Sequence, residues 1–366
     1  MMRLFKFLKP YKLKNSQRSH KTGGFTLIEL LVGMIMTALI ITPLLGFVIN
    51  MMDTDRKEQA KATTEQEIQA ALDYIARDLD QAFFIYDAWG LQQIQGDLPQ
   101  VAGDIAGAEG VPVLVFWKRE FIPNSVPIKN RNINDCANND PNNYCDDGFV
   151  YSLVSYYLIR DTLPCNNPTW SCTTRIGRIE LKDALYDVNN VPNNSDPAVP
   201  VSADYDRNDG LVRITELLKQ PGSLEAQLNN WNADTNRGTY DYDETPFEIL
   251  VDYVDQTEDA ITAQPNCSQA TRPPEAARPD GLPPGNDYMY RQVPANVPVG
   301  FPIDSFYACV NTDQTIAQVF IRGNALARLR PKNDPPPYAA NQSAYFPSAS
   351  IQAQGRGFLS ANPNTQ

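Results

Sequence analysis

With 366 residues and 42% hydrophobic content the chain can bury a core, but 29 prolines and many asparagines assign much of it to loops. Its net charge of −12 repels phosphate backbones and argues against nucleic acid as a direct ligand. The only histidine is His20, so a Ser-His-Asp or Cys-His triad has no base beyond the first residues; no P-loop or dinucleotide glycine motif occurs, and no enzyme is expected.

Residues 1–24 carry seven basic side chains (Arg3, Lys6, Lys9, Lys12, Lys14, Arg18 and Lys21) and no acid. The remainder holds 24 basic against 43 acidic residues, a net charge of −19. Phe25–Met52 is a 28-residue apolar stretch with Glu29 as its single ionisable side chain. A bilayer core takes about 20 helical residues, so this stretch can span one. Basic residues before it and Asp53 after it place its start on the cytoplasmic side and the bulk of the chain outside. Neither a secretory signal nor a plain anchor explains Glu29, because an intramembrane carboxylate costs roughly 2.5–3.5 kcal/mol and is kept for a partner. Pro43 and Gly46 are expected to kink or loosen the helix.

The string Lys21-Thr22-Gly23-Gly24-Phe25-Thr26-Leu27-Ile28-Glu29-Leu30-Leu31-Val32 resembles the class III signal of type IV prepilins. The resemblance implies a cut after Gly24 by a membrane prepilin peptidase, which also methylates the new terminus at Phe25. Glu29 is then the acid that pairs with that cationic amine, in the same or a neighbouring subunit. The alternative is a simple membrane-anchored protein that carries this string by chance.

Residues 53–67 are polar but hold no helix breaker, and Ile68, Ala71, Leu72, Ile75, Leu79, Ala82 and Phe83 continue at helical spacing. Asp73, Arg77 and Asp78 fall on other faces. The spacing predicts an amphipathic half-helix over 53–89, with one helix from Phe25 to about Trp89, nearly 100 Å long, ending at Gly90. The segment ALDYIARDLDQAFFIYD is similar to the helix end of minor pseudopilins of the family that includes the J component of type II secretion and W-type minor pilins.

A head over residues 90–330 follows. Strands are predicted at Val111–Trp117, Phe149–Ile159, Ile176–Leu181, Leu211–Thr215, Phe247–Val254, Ser305–Val310 and Ala317–Ile321. The expected class is α+β: a long hydrophobic N-terminal helix packed on a sheet, with long disulfide-bearing loops. Asn132–Asp147 and Pro192–Asp209 read as Asn/Asp-rich loops and Pro265–Pro302 as a proline-rich one. Residues 331–366 read as a tail too polar and proline-laden to pack.

Six cysteines, at 136, 145, 165, 172, 267 and 309, suit an oxidising compartment. Short loops close most easily, which favours Cys136–Cys145 and Cys165–Cys172 and leaves Cys267–Cys309, a preference among 15 connectivities. Free buried cysteines remain the alternative, and the spacings do not suit zinc. No cofactor is expected except calcium, for which Asp204, Asp206 and Asn208 are weak candidates. Gly210 stands at loop position 7 instead of 6, and Glu216 lies one beyond the bidentate position, so the loop is not an EF-hand. The acidic Asp135–Asp147 stretch is a second candidate.

The basic leader, this signal, a cysteine-bearing Asn/Pro-rich head and a polar tail together resemble cyanobacterial pseudopilins of hormogonium polysaccharide secretion. That implies a minor subunit in the inner membrane with its head in the periplasm, priming or capping a pseudopilus that supports polysaccharide export and gliding. Its partners are then other pilins or pseudopilins, the prepilin peptidase, an inner-membrane platform with its ATPase, and polysaccharide. A type II protein-secretion minor pseudopilin, a tip adhesin and a DNA-uptake minor pilin remain the alternatives.

Overall fold

A computed structural model describes residues 24–127, 145–162, 165, 169–185, 207–235, 239–257, 267, 292–294, 301–330 and 335–357. The chain divides into two units, Met1–Asp55 and Arg56–Gln366. Helix α1, Leu27–Leu79, runs through the boundary, and neither Pro43 nor Gly46 interrupts it.

In the first unit every described residue is exposed. The α1 segment there is long and apolar enough to cross a membrane, and no part of its apolar window is buried by the protein itself. In the second unit α1 buries Ala60, Thr64, Ile68, Ala71, Leu72, Ile75, Asp78 and Leu79. These recur at spacings of three and four, which makes one stripe on one face.

Two antiparallel sheets share a hydrophobic core with that stripe. The first, in the order β1-β2-β3-β4-β5, comprises β1 (Ala82–Ile85), β2 (Ala108–Pro127), β3 (Cys145–Asp161), β4 (Thr174–Lys182) and β5 (Glu248–Val254). The second, in the order β6-β7-β8-β9, comprises β6 (Gln292–Val293), β7 (Phe306–Asn311), β8 (Ile316–Arg322) and β9 (Ser348–Gln354). Short helices α2 (Ala88–Ile94), α3 (Val101–Asp104), α4 (Ile214–Leu217) and α5 (Leu224–Asn229) complete the α+β unit. Tyr86 ties two of these layers together: it donates to the Leu228 carbonyl and accepts from Trp117 Nε1 at 3.0 Å.

The sheets meet where the end of β5 crosses the end of β8. Val254 bridges Gly323, the Asp255 amide donates to the Arg322 carbonyl, and the Asn324 amide donates to the Tyr253 carbonyl. Arg322 Nε and Asp255 Oδ2 form a buried ion pair at 2.8 Å over this joint. Gly323 is required here: a Cβ would lie 2.5 Å from Thr64 Cγ2 and 2.9 Å from Ile68 Cδ1, both on α1.

Four expectations need correction. The helix stops at Leu79, not Trp89, because Phe83-Phe84-Ile85-Tyr86 is rich in strand-forming side chains and Phe84 and Ile85 pair with Trp117 and Phe116 of β2. Asp78 is on the buried face, where cations meet it. Leu211–Thr215 is not a strand: Gly210 turns with φ +79°, and Leu211, Ile214 and Leu217 are buried at a spacing of three, leading into α4. Part of the segment 331–366 packs, since β9 pairs with β8 along seven residues. Its Ser-Ala-Ser-Ile-Gln-Ala-Gln alternation has the period of a strand despite its polarity. After it, the Gly355, Arg356 and Gly357 amides donate to the carbonyls of Thr315, Asp80 and Ala82. The tail thus clasps the point where α1 gives way to β1.

Candidate functional site

The N-terminal segment places its residues in an ordered local frame. Gly24 and Phe25 precede α1 in non-helical backbone, with Phe25 79% exposed and open space around the Gly24 Cα. Thr26 starts the helix: its hydroxyl accepts from the Glu29 amide at 3.3 Å and its carbonyl from the Glu29 and Leu30 amides. Thr26-Leu27-Ile28-Glu29 therefore follows the capping-box spacing. The Glu29 carboxylate lies in the first turn, where the helix dipole favours negative charge.

Phe25, Glu29, Gly33, Thr37 and Ile41 line one shallow exposed groove along this unit. They recur every four residues and so follow one inclined ridge along the helix. Thr37 donates to the Gly33 carbonyl and Thr42 to the Ala38 carbonyl, both at 2.7 Å, so these hydroxyls are satisfied within the helix itself. An apolar face with small residues beside one carboxylate suits close helix packing in lipid. Sequence reasoning singled out Glu29 but missed Gly33 and Thr37, although their four-residue spacing from it was there to read.

In the second unit the last turn of α1 is held by a closed ring of charges. Asp78 Oδ1 meets Lys118 Nζ at 3.1 Å, and Lys118 Nζ meets Glu180 Oε1 at 2.9 Å. Glu180 Oε2 meets Arg178 Nη2 at 2.6 Å, and Arg178 Nε returns to Asp78 Oδ2 at 2.9 Å. The Tyr156 hydroxyl adds a donor to Asp78 Oδ2 at 2.8 Å. All four charged side chains are less than a tenth exposed. Burial alone would raise the Glu180 carboxyl, but Lys118, Arg178 and Lys182 outweigh it and hold it at about 2. Burial opposes the Lys118 and Arg178 charges too, yet their acidic partners raise both. The ring is neutral in sum and joins α1 to β2, β3 and β4. Its four charges meet one another, which makes it a latch between α1 and the sheet.

The cysteines form crosslinks: Cys165–Cys172, with Cα atoms 5.8 Å apart, and Cys267–Cys309, 5.3 Å apart. Cys145 is disulfide-bonded as well, and Cys136, to which the sequence reading assigned it, lies outside the described residues. Arg175 supports the Cys165–Cys172 loop through two bonds to Asp161 and one to the Ser171 carbonyl. Asp161 and these two cysteines come close enough to suggest a metal site, but the sulfurs are joined to each other and the carboxylate is held by Arg175.

Of the calcium candidates, Asp204 and Asp206 lie outside the described residues. Asn208 Oδ1 accepts from the Lys182 amide at 2.6 Å and its own amide donates to the Lys182 carbonyl, so it closes the end of β4. In the second acidic stretch, Asp147 Oδ1 accepts from the Asn124 amide at 3.0 Å. An aromatic pair, Phe121 and Phe149, opposes across β2 and β3 and stays exposed, with the Arg119 guanidinium over Phe149.

Residues 19–45 match the family model of the prokaryotic N-terminal methylation motif. No curated protein and no solved structure matches the chain. The motif supports a type IV pilin or pseudopilin, a kind of protein that is structural instead of catalytic and meets other pilins and a prepilin peptidase.

Proposed function

We propose that the chain is a minor pilin or pseudopilin: it is cut after Gly24, methylated at Phe25, held in the inner membrane by the first part of α1, and built into a fibre with its larger unit in the periplasm. One observation carries the reading: the methylation motif at residues 19–45 overlaps a helix whose apolar start has no cover of its own. Exposed non-helical backbone at Gly24–Phe25 is the form a peptidase needs, since a helical bond would first have to unwind. The amine left on Phe25 would stand one helical turn from Glu29, whose carboxylate offers it an anion in a medium that penalises unpaired charge.

The size and elaboration of the larger unit support a minor subunit, one that primes or caps the fibre through the platform and its ATPase. The whole-chain resemblance to pseudopilins of polysaccharide export supports secretion of polysaccharide and gliding as the process served. Intact-mass and N-terminal peptide analysis of the protein from membranes, with and without the prepilin peptidase, tests the pathway. A peptidase-dependent N-methylated Phe25 is expected. An intact Met1 in both strains would overturn it.

A further inference from the structure

Among the described residues four strands end the two sheets, and three are blunted in the way exposed edges usually are. Strand β1 has four residues and a bulge. Strand β5 has two register shifts and Tyr253 at φ +59°. Strand β6 has two residues and runs into Pro294. By contrast β9 has seven residues in unbroken register with β8, and no charge, proline or bulge.

The ladder shows which way β9 turns its backbone. The Gly355 amide donates to the Thr315 carbonyl at 2.8 Å and the Gly323 amide to the Pro347 carbonyl at 2.9 Å. Residues 347, 349, 351, 353 and 355 therefore exchange bonds with β8, and antiparallel alternation turns the N–H and C=O of Ser348, Ser350, Gln352 and Gln354 outward. All four are exposed, and among the described residues no backbone group bonds to that edge.

By chemical class β9 reads the same in both directions: Ser348 and Gln354 at the ends, Ala349 and Ala353 inside them, Ser350 and Gln352 next, and Ile351 at the centre. We propose that a second copy of this chain adds its β9 antiparallel to this edge, about a two-fold axis through Ile351. In that register polar residues oppose polar ones on the solvent face, alanine opposes alanine and isoleucine opposes isoleucine on the other, and no like charges meet. Each outward N–H gains a carbonyl. A groove of about 530 Å³, lined by Glu65, Gln66 and Gln69 of α1 and by Pro347, Ser348 and Ala349, opens beside the start of β9 and leaves room for the second copy's strand end.

The test is crosslinking of full-length protein in detergent micelles. A Ser348→Cys chain and a Gln354→Cys chain would face each other as a hydrogen-bonded pair with Cα atoms about 5.5 Å apart, within disulfide reach. Two copies of the same variant would hold their cysteines about 20 Å apart, six residues along the strands. The mixture is expected to give an oxidised dimer and each variant alone none. Adding Gln352→Pro to both chains removes an outward N–H while sparing the β8 ladder, and should abolish the dimer without changing the melting curve. If that chain does not fold, Gln352→Lys is substituted, with the same expectation. No dimer from the mixture, equal dimer from either variant alone, or a crosslink formed only with a different protein would each overturn the proposal.

Discussion

Truncating Asp78 should be among the most damaging single changes in the larger unit. Its carboxylate receives Lys118, Arg178 and Tyr156, so Asp78→Ala would leave two cations facing one anion in a site less than a tenth exposed. Removing one partner of a buried charge set costs about 3–5 kcal/mol, because the remaining charge stays out of water uncompensated. For a unit of this size that corresponds to a fall in melting temperature of roughly 10 °C. Thermal unfolding followed by tryptophan fluorescence would report it, since Trp117 is buried beside β1 and bonded to Tyr86. Asp78→Asn keeps the shape and loses the charge, and should fall between the wild type and Asp78→Ala. A loss below about 1 kcal/mol for the alanine variant would refute the latch, since that is the range of an exposed pair.

Two further outcomes follow from neighbouring geometry. Glu180 is held at about 2, below its ordinary value of 4.5, so its contribution is complete above about pH 4.5 and is lost as pH falls toward 2. The difference in urea midpoint between wild type and Glu180→Gln should therefore shrink across that window, and a difference that stays constant would refute the assignment. Gly355→Ala places a Cβ 2.2 Å from the Ala82 carbonyl oxygen, a backbone atom that cannot rotate away. It should cost about 1–3 kcal/mol in chemical unfolding, and an unchanged midpoint would show that the tail does not clasp the α1–β1 junction.

The legible parts of this molecule were those whose signal is local. A charge-free run broken only by Glu29, a string around Gly24, and a stripe from Ile68 to Leu79 all lie within one segment, so periodicity and composition suffice to read them. The strands around Val111–Trp117, Phe149–Ile159 and Ile176–Leu181 were also local, although β2 and β3 extend well past them because each arm supports the other's ladder. The end of α1 shows where local reasoning fails. Ala82 and Phe83 satisfy the helical spacing and are buried, as that reading requires, but they are buried on a strand. Burial was predicted correctly and conformation was not, because pairing with Trp117 and Lys118 decided it from 33 to 36 residues away.

The latch was illegible for the same reason, and its position says something about how the protein is built. Asp78 alone looks like a solvated helix acid, and Lys118, Arg178 and Glu180 look like solvated strand charges; only the stacking of α1 on β2, β3 and β4 makes them a neutral set. An apolar stripe tolerates sliding, since one leucine can replace another in the same groove, whereas a ring of four charges has one register in which every charge is met. Burying such a ring gains little net stability over apolar residues, but shifting α1 by one turn would strand Asp78 away from both cations. Within the larger unit the ring therefore fixes the register of the end of α1 on the sheet, while the apolar stripe supplies the adhesion.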